Sequence, residues 1–278
     1  MVTVTQPNGR SLHIGLNRVD PAHYGGWSGD LAGCEFDAND MESIAKGRGY
    51  ATTVLLTEAA SSDAVVREIG AAAADLDPGD IFFLTYSGHG GQVPDLNGDD
   101  DWDRFDETWV LYDRQLVDDE LFTLWGSFAS GVRIVVLSDS CHSGTVVRDA
   151  FYQASPANEM AGAHFKNLPR EIQKKTYEDH QEQYDAIQTD NPQGDSVGVG
   201  ASVLLISGCM DNQLSRDGDR NGLFTQTLKE VWGDGSFSGS YQAFRDEIVE
   251  RMPADQTPNY FRVGVAAPFF EQQTPFTI

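Results

Sequence analysis

Two short blocks of this 278-residue sequence carry groups able to do nucleophilic chemistry. One is Ser87-Gly88-His89-Gly90-Gly91; the other is Ser138-Asp139-Ser140-Cys141-His142-Ser143-Gly144. The thiolate is the nucleophilic form of cysteine, and a free thiol ionises only near pH ~8.5. A neighbouring imidazole takes its proton and later returns one to a leaving amine. Glycines around His89 let backbone approach a substrate. The N–H groups of Gly90 and Cys141 are therefore candidate donors to a developing oxyanion. Singly, a cysteine after a strand is usually a small core residue, and a histidine among glycines is often only part of a turn. The pair, about fifty residues apart, points to acyl transfer with His89 and Cys141 as catalytic residues. His142 adjoins the cysteine on a turn, where neighbours point apart, and is read as structural.

Both blocks need strands to deliver them. Continuous apolar runs at 81–86 and 133–137 stand immediately before the two blocks, as expected for parallel strands buried on both faces. Further strands are expected at 11–17, 52–56, 108–112, 202–207 and 259–265. Near-helical apolar spacing predicts helices at 37–49, 63–76, 118–128, 223–232 and 241–252. Strands alternating with helices argue for an α/β fold with a mostly parallel central sheet flanked by helices on both faces. In such sheets function gathers at the carboxyl ends of the strands, which is where both blocks lie. Between about 148 and 199 the apolar pattern fades. That stretch reads as a mobile loop or linker, with room for a helix near 170–184.

Composition narrows the field. A 40% hydrophobic share supports a sizeable core, and the formal net charge of -24 disfavours nucleic acid and anionic membranes as partners. The same charge suits basic peptides. Three cysteines, Cys34, Cys141 and Cys209, form neither a disulfide framework nor a CxxC zinc pair. Residues 1–10 lack an apolar core or basic leader, and no apolar run is long enough to span a membrane. A reducing, cytoplasmic setting is the expectation. His13, His23, His164 and His180 have no motif around them, and Cys209 reads as packing.

The chain resembles metacaspases and their bacterial relatives, the orthocaspases. The resemblance rests on Gly33-Cys34-Glu35-Phe36-Asp37-Ala38, Tyr86-Ser87-Gly88-His89-Gly90-Gly91, Asp118-Asp119-Glu120-Leu121, Asp139-Ser140-Cys141-His142-Ser143-Gly144 and Ser207-Gly208-Cys209-Met210-Asp211-Asn212-Gln213. It implies a caspase-like fold with a large part at 1–149, a linker at 150–198 and a small part at 199–278 of one domain. It implies His89 and Cys141 as the dyad and cleavage after Arg or Lys. Asp37 and Asp139, with Cys34 and Ser87 beside them, fall at the family's pocket positions. Two carboxylates there can take a guanidinium through charge-assisted contacts. The resemblance also implies a monomer acting on basic peptide or protein substrates.

Two further expectations follow from it. The family's calcium ligands correspond to Asp106, Asp118 and Asp119; the fourth position falls at Arg148, with Asp149 one residue later, and Ca²⁺ is the regulatory cofactor the resemblance implies. The acidic stretch 95–107 is not an EF-hand, since its sixth position is Asp100 where a glycine is wanted. Lys166, Arg170, Lys174 and Lys175 lie in the linker and are candidate sites for self-cleavage. The rival readings are a caspase-like peptidase with another preference at the cleaved residue, and an inactive caspase-like scaffold that binds partners.

Overall fold

Alternation in burial organises the centre of the molecule. Within 81–86, Phe82, Leu84 and Tyr86 join one core cluster, while Ile81 and Phe83 join another; Ile134 and Val136 separate from Val135 and Leu137 in the same way. A strand that is apolar on both faces must be covered on both. The computed structural model describes residues 6–98, 104–140, 164–192, 194, 197–210 and 213–278, and among them the covering helices lie on both sides.

In chain order the elements are β1 (Gly9–Gly15), α1 (Cys34–Gly47), β2 (Ala51–Leu56), α2 (Ser62–Asp75), β3 (Ile81–Ser87), β4 (Gly90–Pro94), β5 (Phe105–Val110), β6 (Gln115–Val117), α3 (Asp118–Gly126) and β7 (Arg133–Asp139). After these come α4 (Arg170–Asp179), α5 (Gln181–Asp190), β8 (Ser202–Ser207), α6 (Leu223–Trp232), α7 (Tyr241–Arg251), β9 (Asn259–Gly264) and α8 (Pro268–Gln272). The main sheet has the order β2-β1-β3-β7-β8-β9. Its pairs are parallel except the last, where β9 runs antiparallel to β8. Val65, Ile69 and Ala72 of α2 and Trp125 of α3 pack into the first cluster. Met41 and Ala45 of α1, Phe224 and Leu228 of α6, and Phe244 and Ile248 of α7 pack into the second.

Three features set up the carboxyl edge of this sheet. The order places β1 between β2 and β3, so the chain leaves β1 toward opposite sides, the arrangement that opens a crevice at the strand ends. The first turn of α1 presses onto the end of β1: a Cβ on Gly15 would lie 2.3 Å from the Cys34 carbonyl oxygen. And β3 pairs with β7 in a register that sets Ser87 opposite Asp139. His89 and Cys141 thus each follow a paired position by two residues.

The expected strand at 202–207 and helix at 223–232 occur with those bounds. Two differences matter here. A small antiparallel sheet, β4-β5-β6, follows the His89 block, and its first strand was not expected. The segment read as a loop with room for one helix holds two, α4 and α5. Their Thr176, Tyr184 and Gln188 are buried, and Tyr184 packs with Val93 and Val117. No helix among the described residues is long and apolar enough to cross a membrane.

Candidate active site

The site begins with side-chain parity. On β3, residues 81, 83, 85 and 87 face α1, and on β7 so do 135, 137 and 139. Asp37 is in the first turn of α1, on the same level. Asp37, Ser87 and Asp139 are each no more than 3% exposed, and they surround one cation. That cation is Lys166, itself fully buried.

Lys166 Nζ donates to Asp37 Oδ2 at 3.0 Å and to Ser87 Oγ at 2.9 Å, and it pairs with Asp139 Oδ2 at 3.0 Å. Two of the ammonium's three N–H donors thus have acceptors, and Asp139 adds an ion pair. Both carboxylates are also held by other residues. Asn221 Nδ2 donates to Asp37 Oδ1 at 2.9 Å, and so does the Gly222 N–H at 3.1 Å. The Ser215 hydroxyl donates to Asp139 Oδ1, and the Thr225 hydroxyl donates to Asp139 Oδ2 at 2.9 Å. Gly222 must lack a side chain, since a Cβ would lie 2.3 Å from Nζ and 2.4 Å from Asp139 Oδ2. About 10 Å³ of space remains beneath the cluster, so the lysine fills its pocket.

Electrostatics follow from burial. Burial pushes the Asp37 carboxyl up to about 6, against the pull of Lys166. Burial works against the Lys166 charge too, but Asp139 and Asp37 outweigh it and hold the ammonium above the ordinary lysine range. Burial raises the Cys34 thiol well beyond its usual value. Cys34 is therefore an inert part of the pocket wall rather than a second nucleophile.

The backbone around Lys166 is extended and held on both sides. Its N–H donates to the Ser215 carbonyl at 3.0 Å, and the Asp217 N–H donates to the His164 carbonyl at 2.8 Å. Phe165 and Arg216 form an antiparallel bridge. On the other side Gly90 bridges Asn167 in parallel fashion. The Gly90 N–H donates to the Lys166 carbonyl at 3.0 Å, and the Leu168 N–H donates to the Gly90 carbonyl at 2.8 Å. The expected oxyanion donor Gly90 thus holds the carbonyl of the residue whose side chain fills the acidic pocket.

His89 is 5% exposed and stands in this same loop. Its Nε2 is 2.8 Å from the Gly29 carbonyl oxygen. A carbonyl only accepts, so Nε2 carries the hydrogen and Nδ1 keeps its lone pair. Nδ1 has no hydrogen-bond partner of good geometry among the described residues, although the Asn167 backbone stands close enough to the ring to raise its pKa. Burial lowers the ring's pKa to about 4, with the Gly29 carbonyl working the other way. At neutral pH the ring is an uncharged base. Trp27 lies against it with ring centroids 4.8 Å apart. Tyr86 donates its hydroxyl to the His89 carbonyl at 2.6 Å and stacks on Trp109 at 4.6 Å. The ring and its backbone are thereby clamped.

Cys141, and with it the second expected oxyanion donor, lies outside the described residues, as does Asp149. Among the other self-cleavage candidates, Arg170, Lys174 and Lys175 belong to α4 and are exposed; Lys175 pairs with Asp179 and Lys174 with Glu178. The calcium candidates do not gather. Both Asp119 oxygens accept from Asn97 Nδ2, at 3.1 and 3.2 Å, and Asp118 Oδ1 accepts from the Asp119 N–H at 3.0 Å. Among the described residues no group of three or more His, Cys, Asp or Glu side chains is placed to hold a metal ion. The fourth calcium candidate, Asp149, is outside the described residues, and Asp106 is buried.

Sequence reasoning missed Asn221, Gly222, Ser215 and Thr225, which close the pocket from the small part, and Gly29 and Trp27, which orient His89. The Asn221-Gly222 dipeptide just before α6 is a turn signal. The others carry no local mark.

The caspase-domain family matches residues 19–270, most of the chain. The chain belongs to the caspase-domain family. Among curated relatives it is 33% identical over 151 residues to Metacaspase-4 of Arabidopsis thaliana and 35% identical over 153 residues to Metacaspase-1A of Aspergillus terreus. These matches take in 51% and 50% of this chain but 35% and 36% of the relatives, so the chain spans about a third of their length. The crystal structure of protein GSU0716 from Geobacter sulfurreducens superimposes with a TM-score of 0.90 at 52% identity, covering 98% of this chain and 99% of that one. Caspase-1 from Spodoptera frugiperda superimposes with a TM-score of 0.55 at 12% identity, covering 95% and 90%, which shows the shared fold. The expected caspase-like fold is the observed one.

Proposed function

We propose that this caspase-domain protein is a cysteine endopeptidase that cuts after Lys or Arg and that its first substrate is its own Lys166–Asn167 bond. One observation carries the reading. Lys166 is seated as a substrate would be, with its ammonium against Asp37 and Asp139 and its carbonyl on the Gly90 N–H. A basic side chain is what a pocket with two buried carboxylates selects. A guanidinium also offers more than one N–H group to paired carboxylates.

The chemistry then follows from the groups present. The Cys141 thiol gives its proton to the neutral His89 ring, and the thiolate attacks the Lys166 carbonyl carbon. The carbonyl oxygen takes up the negative charge, and the Gly90 N–H stabilises it. As the tetrahedral species collapses, the C–N bond to Asn167 breaks and protonated His89 returns the proton to the leaving amine. Water, deprotonated by His89, splits the resulting thioester and restores the thiol. The Gly29 carbonyl keeps the ring in the tautomer that leaves Nδ1 basic. While Lys166–Asn167 is intact the pocket is filled, so other substrates enter only after this bond is cut.

Short reporters ending in Lys, Arg, Asp or Asn test the reading, with the wild type set against Cys141→Ala. Turnover of the Lys and Arg reporters, lost in Cys141→Ala, is expected. Preferential turnover of the Asp reporter would select a caspase-like peptidase of different preference, and no turnover at all would select the binding scaffold.

A further inference from the structure

The chain beyond the Lys166 carbonyl is also seated, and on a surface that the acidic pocket does not include. Asn167 follows the bond, and Leu168 follows Asn167. The Leu168 side chain is 4% exposed. It packs with Val19, Tyr24 and Val110, all buried, and with the partly buried Trp27. Gly91 forms the floor, since a Cβ there would lie 3.2 Å from Leu168 Cδ2.

The walls have supports of their own. The Val19 N–H donates to the Ser28 carbonyl at 2.9 Å, the Asp20 N–H to the Tyr112 carbonyl at 2.8 Å, and the Trp27 N–H to the Tyr24 carbonyl at 3.0 Å. The Tyr24 hydroxyl donates to the Leu111 carbonyl at 2.7 Å. The hollow that receives Leu168 is thus built mainly by 19–28 and by β5, with Ile172 of α4 packing against it from the same segment as Leu168. Its backbone contact, Leu168 N–H to Gly90 carbonyl, lets any residue type pair there; the selectivity comes from the side-chain hollow.

Resting on the reading above, we infer that Val19, Tyr24, Trp27, Val110 and Gly91 form a second specificity subsite, which takes an aliphatic side chain two residues after the cleaved bond. The uncut chain fills this subsite with Leu168 just as it fills the acidic pocket with Lys166. Cutting the Lys166–Asn167 bond makes Asn167 a new chain end, and Leu168 leaves the hollow with it. Substrates of other chains then meet two anchors, a cation before the bond and an apolar side chain beyond it. A charged residue at the second anchor is disfavoured because the side chains packed on Leu168 are apolar and aromatic.

Internally quenched peptides test this with the full-length protein. The panel is Phe-Lys-Asn-Leu against the same peptide with Ala, Asp or Lys in place of Leu. A Lys reporter whose leaving group is a simple dye, with no residue beyond the bond, serves as control. The Leu peptide should exceed the Asp peptide in kcat/KM by about tenfold to a hundredfold, with Ala between them. A second measurement uses the chain itself: Leu168→Asp should slow self-cleavage at Lys166, and Leu168→Met should restore it. Equal turnover across the panel, with the dye reporter still cleaved, overturns the subsite and leaves the Lys/Arg reading intact. Failure to cleave the dye reporter as well overturns both.

Discussion

Two acidic regions of this molecule look alike in sequence and differ in what they hold. One is made of Asp37 and Asp139, about a hundred residues apart, and it closes on Lys166 with three contacts of 2.9–3.0 Å. The other is Asp106, Asp118 and Asp119, nearly continuous in sequence; Asp118 and Asp119 are engaged locally, and among the described residues no three such side chains are grouped to hold an ion. The difference teaches that carboxylates become a site by convergence, not by density. Strand parity and the register of β3 on β7 bring Asp139 and Ser87 to one level, and the first turn of α1 brings Asp37 to it. Nothing comparable aims the second group at a shared point.

The largest effect should come from the first region. Asp139→Ala removes a buried acceptor of the ammonium, and turnover of Lys reporters should fall by at least about a hundredfold, in keeping with the ~3–5 kcal/mol lost when one member of a buried ion pair is removed. Near-normal turnover would break the comparison at its stronger end. Alkylation of Cys141 by iodoacetamide should persist in this variant, separating loss of the pocket from loss of the nucleophile.

The next effect is on pH. A proton on Asp37 removes a negative charge facing the substrate cation, so activity rises with pH. With Lys166 seated, the Asp37 carboxyl titrates at about 6. Vacating the pocket removes that pull and also admits water, two changes of opposite sign, so the acid limb of kcat/KM for a Lys reporter should lie near 6, falling about tenfold per unit below it. Asp37→Asn should lower the activity and flatten that limb. A limb near pH 4 in the wild type would assign it to His89 instead, whose ring is held at about 4 by burial.

The smallest effect belongs to the second region. Asp119→Asn keeps the side chain's size at a buried position outside the pocket, and addition of chelator removes free calcium; each should change turnover of a Lys reporter by less than about twofold. A loss of tenfold or more with chelator, recovered by calcium, would show that the second region does converge on an ion once one is present.

The same comparison explains what could be read in advance. The buried strands and the helix 223–232 were legible because burial on one or both faces leaves a period in the sequence. His89 was legible because its block follows such a strand; Asp37, Ser87 and Asp139 were legible through the resemblance of their blocks to those of metacaspases. Strand β4 was not, since Gly90-Gly91-Gln92-Val93-Pro94 combines glycines and a proline with little β-propensity. The burial of Lys166 was not either. A lysine in a polar stretch looks solvated, and only partners 129 and 27 positions away in the chain make its burial favourable. Ser215, Asn221 and Thr225 act through hydrogen bonds to those distant carboxylates and leave no periodic trace.

The seating of Lys166 is the claim on which the rest depends, and the masses of the chain's own fragments test it most directly. Purified wild type, incubated and examined by intact-mass spectrometry beside Cys141→Ala, should yield a fragment beginning at Asn167, while the variant stays whole. A new chain end after Arg170, Lys174 or Lys175 with none at Asn167, or the same fragments from Cys141→Ala, would contradict the account.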